Sequence, residues 1–414
     1  MRPIRIRTFY PADPVGIVPG GVDTFIRGIV KWAPDDLEFS VIGMTTNPVA
    51  RPAGQWTRCG LGRREFDFFP VVSVANAGQR SSIPLSLRYT GGLARHHKQV
   101  RGGFDAFEFH RVEPALLFAR DGRPKNAFFH QDMAVIRTEK KADILWRHLP
   151  GMYFRIERHV VNALSSAWCV RQEGVRAMQE RFPAKASVIH FVPTWVDTEV
   201  FSPMASDDRR ALRSKLAREI GVDEASAWVV SVGRLDTQKD PERLLAAFAR
   251  LALQGRDVSW LVVGDGVLRD KLQKGVAAAG LQRRVHFLGL KRPQAIADLL
   301  RAADVFALSS AYEGMPMAVL EALGSGLPVA TTDVGEVRKA VIPGVNGAIA
   351  ADHSVEAFEA CLADVLDNRE AYGGAAAVAA IQPYRPAMVL TKVYDNYREL
   401  GLRYRMQNNI GVAR

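Results

Sequence analysis

Two glutamates eight positions apart, Glu313 and Glu321 in AYEGMPMAVLEALGSGLPVA (311–330), have the type and spacing to do chemistry. Glu313 follows the apolar run VFALSS (305–310) and leads through Gly314, Met315 and Pro316 to Met317, where a helix is expected to start. The free N–H groups of a helix start favour anions. Glu321 is the one charge in an otherwise apolar helix. A carboxylate so placed needs a strong hydrogen-bond partner, or its pKa must rise. A ligand diol would be such a partner; a partly wet edge or an interior arginine is the alternative.

The stretch VGRLDTQKD (232–240) adds cations: Gly233 ends a strand, Arg234 follows, and Lys239 stands at the next helix start. A planar guanidinium fork beside an ammonium suits a diphosphate, although surface cations are common. In PGGVDTFIRGIV (19–30), Gly20 and Gly21 would let backbone approach a phosphate or sugar closely. The G-x-G-x-x-G spacing is absent there, and a tight structural turn explains the pair equally well. His130 in AFFHQDM and His110 in FDAFEFHRVEP each follow a short apolar run. Either could meet a sugar hydroxyl or an acceptor hydroxyl, or be structural. The chain contains no D-x-D triplet, the usual carboxylate clamp for a metal–nucleotide complex, and no Walker A, G-x-S-x-G or H-E-x-x-H pattern. No metal ligand set is expected, so protein cations and amides must handle the charge.

These residues need a scaffold that presents strand ends. In the second half, WVVSVGRL (228–235), WLVVGDG (260–266), VHFLGL (285–290), VFALSS (305–310) and LPVATTD (327–333) alternate with helical patterns near 240–254, 267–280, 293–302 and 316–326. Strands apolar on both faces, separated by helices, predict a doubly wound α/β domain. Its ligands sit at the carboxyl ends of the strands. The first half repeats the rhythm less cleanly, with strands at IRIRTFY (4–10), LEFSVIGM (37–44), KNAFFH (125–130) and SAWCV (166–170), and a helical region at 139–165. The boundary falls near 195–205, in HFVPTWVDTEVF (190–201). The segment after Gln382 has helical spacing with no following strand, and so is expected to return to the first domain.

The 414 residues, 48% hydrophobic and 24% charged, suit a soluble globular protein of two or three domains. No stretch is long and apolar enough to span a membrane, and the N-terminus lacks the apolar core of a secretory signal. Cys59, Cys169 and Cys361 form neither a disulfide framework nor a zinc set, which points to a reducing cytoplasm. Residues 1–195 hold 28 Lys and Arg against 17 Asp and Glu, and residues 196–414 hold 27 of each. The whole net charge of +11 therefore belongs to the first half. An anionic partner for that half, or simple solubility, accounts for it.

The E-x7-E pair with E-G-M-P, together with V-G-R-L…K, resembles retaining glycosyltransferases of family 4, whose GT-B fold has two Rossmann-like domains facing across a cleft. FVPTWVDTEVF is similar to that family's linker, with Thr194 and Trp195 in place of Asn-Gly, and Arg171-Gln172-Glu173 stands where the family often has a serine-containing turn. The likeness is close over the second half and loose over the first. It implies an acceptor-binding domain at 1–195, a nucleotide-sugar domain at 200–383, and a C-terminal helix near 384–414 packed on the first.

By position, the resemblance gives Arg234 and Lys239 the leaving diphosphate and Glu321 the ribose hydroxyls. It gives Glu313, with the amides of Gly314, Met315, Pro316 and Met317, the donor sugar. Gly20, Gly21 and Gly233 would lie near the phosphates, Leu290 near the base, and His130 near the donor sugar. The implied reaction moves a sugar from a UDP-hexose or GDP-mannose to a glycan or lipid-linked hydroxyl with retention, without metal or other cofactor. Polysaccharide or lipopolysaccharide synthesis at the cytoplasmic face of a bacterial inner membrane would use such an enzyme. SLRYTGGLARHHKQVRGG (86–103), with Arg88, Arg95, Lys98 and Arg101, would then face anionic lipid. A small soluble acceptor and a non-catalytic scaffold are the other readings. The positive charge alone would also suit nucleic acid, but no recognition motif accompanies it and no such partner is expected.

Overall fold

The computed structural model describes residues 2–16, 21–74, 83–130 and 150–408. They divide into two compact units, one of residues 1–193 with 389–414 and one of residues 194–388. Gly20, the start of the helical region at 139–149 and the last six residues lie outside the described residues.

The first unit is built on an eight-stranded sheet in the order β3-β4-β2-β1-β5-β6-β7-β8. Its strands are β1 (Ile4–Phe9), β2 (Leu37–Thr45), β3 (Thr57–Leu61), β4 (Arg64–Ser73), β5 (Ala106–Phe109), β6 (Lys125–Phe129), β7 (Ser166–Cys169) and β8 (Ile189–Phe191). All neighbours pair parallel except β3 with β4, an antiparallel hairpin at the edge. Phe9, Phe107, Phe109 and Phe118 pack into one aromatic core face. The strand order reverses between β1 and β5, the kind of position where a crevice opens at the carboxyl ends of the strands.

The helix Thr391–Gln407 completes this unit. Tyr394 donates its hydroxyl to the Ile29 carbonyl at 2.9 Å, and Arg405 pairs with the buried Asp105 at 2.6 Å. Gly401 meets β1 so closely that a Cβ there would lie 2.4 Å from Ile4 Cγ2. That contact leaves no room for a side chain.

The second unit carries a six-stranded parallel sheet in the order β11-β10-β9-β12-β13-β14. These are β9 (Ala227–Val232), β10 (Val258–Val263), β11 (Val285–Gly289), β12 (Val305–Leu308), β13 (Val329–Thr331) and β14 (Gly347–Ile349). Alternate residues serve opposite faces: Trp228, Val230, Leu261 and Phe306 enter one core layer, and Val229, Trp260, Val262 and Val305 the other. With helices on both sides, the doubly wound architecture expected for this half is present. The order reverses between β9 and β12, so the loops leaving these two strands share one crevice.

Candidate active site

Loops 233–240 and 309–316 leave β9 and β12 at that reversal. Lys239 Nζ stands 2.5 Å from Glu313 Oε1, and Ser310 Oγ donates to the same oxygen at 3.0 Å. Two loops that the sequence read separately thus meet in one ion pair, with both side chains largely buried. Asp236 shapes the first loop by accepting from the backbone N–H of Gln238 and Lys239, each at 3.1 Å. Asp240, in the left-handed region at φ 44°, caps the helix Pro241–Leu253 through the Arg243 N–H. Ser309 Oγ donates to the Asp240 carbonyl at 2.8 Å and ties the two loops together. Gly233 lies against the Lys239 side chain, where a Cβ would stand 3.1 Å from Cε.

Arg234 is more than half exposed; it pairs with Asp236 at 2.9 Å and donates to Gln238 Oε1 at 3.0 Å. The guanidinium is held at the rim with its remaining donors facing solvent. Gly314 is fixed through its carbonyl, which accepts the Glu336 N–H at 2.8 Å. Pro316 is buried and ends the loop at the start of the helix Met317–Gly324, with Met315 packed on the core and Met317 in the first turn. Leu290, just past β11 at the sheet edge, is 44% exposed and offers an apolar surface.

Glu321 makes no side-chain hydrogen bond among the described residues. Burial pushes its carboxyl up to about 7, Lys239 acts in the opposite direction, and Asp197 adds to the rise. No interior arginine partners it, which leaves an unoccupied hydrogen-bonding group one and a half turns into the helix.

The first unit brings together a second set of residues at its own reversal point. His130, just past β6, shares a 2.8 Å hydrogen bond between its Nε2 and His110 Nδ1. His110 Nε2 is 2.9 Å from Glu108 Oε1, with both side chains fully buried. His110 is therefore committed on both ring nitrogens, so it cannot itself receive a ligand hydroxyl as the sequence had allowed. Glu108 escaped the sequence reading; its signal was a lone carboxylate between Phe107 and Phe109 in an apolar run. Gly21 begins the helix Gly21–Lys31 in an exposed position, and Gly20 lies outside the described residues. Asp23, two residues on, is buried, and burial lifts its carboxyl to about 7.

Of the basic residues expected to face lipid, Arg88 donates to the Ser73 carbonyl at 2.8 Å and Arg101 pairs with Asp121 at 3.2 Å. Arg95 and Lys98 line a surface depression with His97 and Leu117. No helix among the described residues is long and apolar enough to cross a membrane.

Residues 213–376 match the family model for glycosyl transferases group 1. A D-inositol 3-phosphate glycosyltransferase from Corynebacterium glutamicum is 31% identical over 205 residues, 48% of each chain. An alpha-D-kanosaminyltransferase from Streptomyces kanamyceticus is 26% identical over 249 residues, 59% of this chain and 63% of that one. The chain thus spans about half to two thirds of the length of these relatives. Among solved structures, sucrose-phosphate synthase from Thermosynechococcus elongatus superposes with a TM-score of 0.76 at 18% identity, over 97% of this chain and 100% of that one. Anabaena HepE in complex with UDP and glucose gives 0.70 at 17% identity, over 95% and 99%. The chain therefore has the GT-B fold, and its residues 213–376 are similar to the group 1 glycosyl transferases.

Proposed function

We propose that the protein is a retaining glycosyltransferase that moves a sugar from a nucleoside diphosphate sugar to a hydroxyl of a glycan or lipid-linked acceptor. The observation that carries this reading is the junction of Lys239, Glu313 and Arg234 at the reversal point of the second sheet. A diphosphate leaving group gains negative charge as the sugar departs. Two cations fixed before the reaction, beside the N–H groups that open the helix Met317–Gly324, stabilise that charge without reorganising. Glu313 holds Lys239 in place and, with the backbone N–H groups of Gly314, Met315 and Met317, takes the sugar. The unpartnered Glu321 accepts from the ribose diol, and Leu290 covers the base. His130, in the first unit, receives a ligand hydroxyl. UDP-hexoses and GDP-mannose both satisfy these groups, and no metal or other cofactor is called for.

The acceptor is proposed to be lipid-linked, in polysaccharide or lipopolysaccharide synthesis at a membrane surface. Exposed Leu87, Leu116 and Leu117 accompany Arg95 and Lys98 on the first unit. Apolar side chains beside cations suit a shallow anionic interface. Co-sedimentation with anionic vesicles, lost in Arg95→Glu/Lys98→Glu, is the expected result. No binding favours a small soluble acceptor.

Thermal melts with UDP, GDP, ADP and TDP, each with and without EDTA, test the donor site. Ligand at about a hundred times its Kd adds about 2.7 kcal/mol. One nucleotide is expected to stand out, unaffected by EDTA and lost in Arg234→Ala. No shift with any nucleotide overturns the site and leaves a non-catalytic scaffold.

A further inference from the structure

The turn that carries Glu313 is fixed on both sides of that residue. The Ser310 carbonyl accepts the Thr332 hydroxyl at 2.7 Å, and both residues are fully buried. The Ala311 N–H donates to the Gln238 carbonyl at 2.8 Å. On the other side, the Gly314 carbonyl takes the Glu336 N–H at 2.8 Å. Gly335, in the left-handed region at φ 52°, packs against that carbonyl so closely that a Cβ would stand 1.8 Å from its oxygen. The loops after β9 and β13 thus hold the backbone of 310–314. What remains to be ordered is the Glu313 side chain, whose rotamer freedom is costly to lose at the moment of binding.

The two oxygens of that carboxylate are not equivalent. Oε1 takes Lys239 Nζ at 2.5 Å and Ser310 Oγ at 3.0 Å. A carboxylate paired with an ammonium offers only acceptors, so the Ser310 hydroxyl must donate. Each carboxylate oxygen has about two acceptor sites, and both sites of Oε1 are filled. Oε2 makes no hydrogen bond among the described residues. The two donors also differ in what else they can reach. Lys239 is partly exposed and has three N–H donors, so it can turn toward a diphosphate. Ser310 has one proton and no exposure, so it keeps its bond to Glu313 when Lys239 turns.

We propose that Ser310 is a positioning residue that commits Oε1 of Glu313, so that Oε2 is left as the acceptor for a hydroxyl of the transferred sugar. Ser310 itself touches no ligand. A sugar with a hydroxyl or amino group at that point has a proton to give, whereas an ether or fluoro substituent has none. The assignment rests on the transferase reading above.

Calorimetric titration with a nucleotide and its sugar conjugate tests this, with UDP and UDP-glucose as one pair and GDP and GDP-mannose as the other. The quantity read is the Kd of the conjugate divided by the Kd of the nucleotide, for the pair that the wild type binds. In Ser310→Ala this ratio is expected to rise roughly tenfold, the worth of about one hydrogen bond, with the nucleotide Kd unchanged. Glu313→Ala should raise the ratio at least as far, and adding Ser310→Ala to it should raise it no further. An unmoved ratio in Ser310→Ala overturns the proposal. So does equal weakening of nucleotide and conjugate, or an undiminished further loss in the Glu313→Ala background, since a merely structural hydroxyl would act in those ways. Where Ser310→Ala does not fold, Ser310→Cys, which offers only a weak donor, is read in the same way. An unmoved ratio in Glu313→Ala, or a wild type that binds neither pair, fails the transferase reading of this site. A ratio that moves in Glu313→Ala but not in Ser310→Ala fails the role of Ser310 alone.

Discussion

Glu321 is a carboxylate that the unliganded protein leaves without a hydrogen-bond partner among the described residues, and its titration reports what it is kept for. Its folded pKa of about 7 lies above the ordinary 4.5. Between those values the folded chain holds a proton that the unfolded chain has released, so stability falls as pH rises through this window and is flat above it. Glu321→Gln is expected to match the wild type near pH 4 and to exceed it near pH 8 by about 3 kcal/mol at most, read from urea melts. A ribose diol donating to the carboxylate favours the anion, so nucleotide binding near pH 6 should release a proton. Calorimetry in two buffers of different ionisation heat measures that release, and identical heats would mean Glu321 does not touch the ligand. The sequence exposed this residue because a single charge interrupts an apolar helix. It exposed Arg234, Lys239 and Glu313 by their places at strand ends. The ion pair between Lys239 and Glu313 was not legible, since it joins positions 74 apart through a strand order that no local pattern encodes.

At the level of elements, the parallel strands of the second unit were the most readable, because burial on both faces makes them continuously apolar. The hairpin of β3 and β4 was missed for the opposite reason. Its edge strand alternates half-buried and exposed residues, and Arg58 lies across from Glu65 and Asp67, which reads as solvated loop. The strands β5, β8 and β14 were too short to separate from their flanking turns. Helical spacing was plain in Thr391–Gln407, but its dependence on Gly401 required the partner surface. Gly401→Ala should test that dependence. Alanine gains about 1 kcal/mol of helix propensity, yet the new methyl would overlap Ile4 on β1. Overpacking of this kind costs about 1–3 kcal/mol. The expected outcome is a lower urea midpoint for the first unit, relieved by Ile4→Ala in the double variant. Stabilisation by Gly401→Ala alone would show that the helix can shift without cost.

The whole chain distributes charge and connectivity unevenly between its units. The first holds 33 basic and 19 acidic residues, the second 22 and 25, so the excess positive charge lies entirely outside the unit that carries Arg234 and Lys239. Attraction of a diphosphate to the second unit must therefore come from local placement, not from overall charge. Connectivity differs as well. The second unit is one continuous segment, whereas the first needs residues 389–414 to fill its core with Tyr394 and Tyr397 and to neutralise Asp105 with Arg405. Residues 194–388 alone are accordingly expected to fold and to bind the nucleotide that the full chain prefers. Their thermal shift should vanish in Arg234→Ala, because the loops after β9 and β12 and the helix bearing Glu321 all lie within this segment. Residues 1–193 alone should be insoluble, and recovered when 389–414 is fused back. A fragment 194–388 that folds but binds no nucleotide, beside a full chain that does, would move the affinity to the first unit and require its basic charge in the donor site.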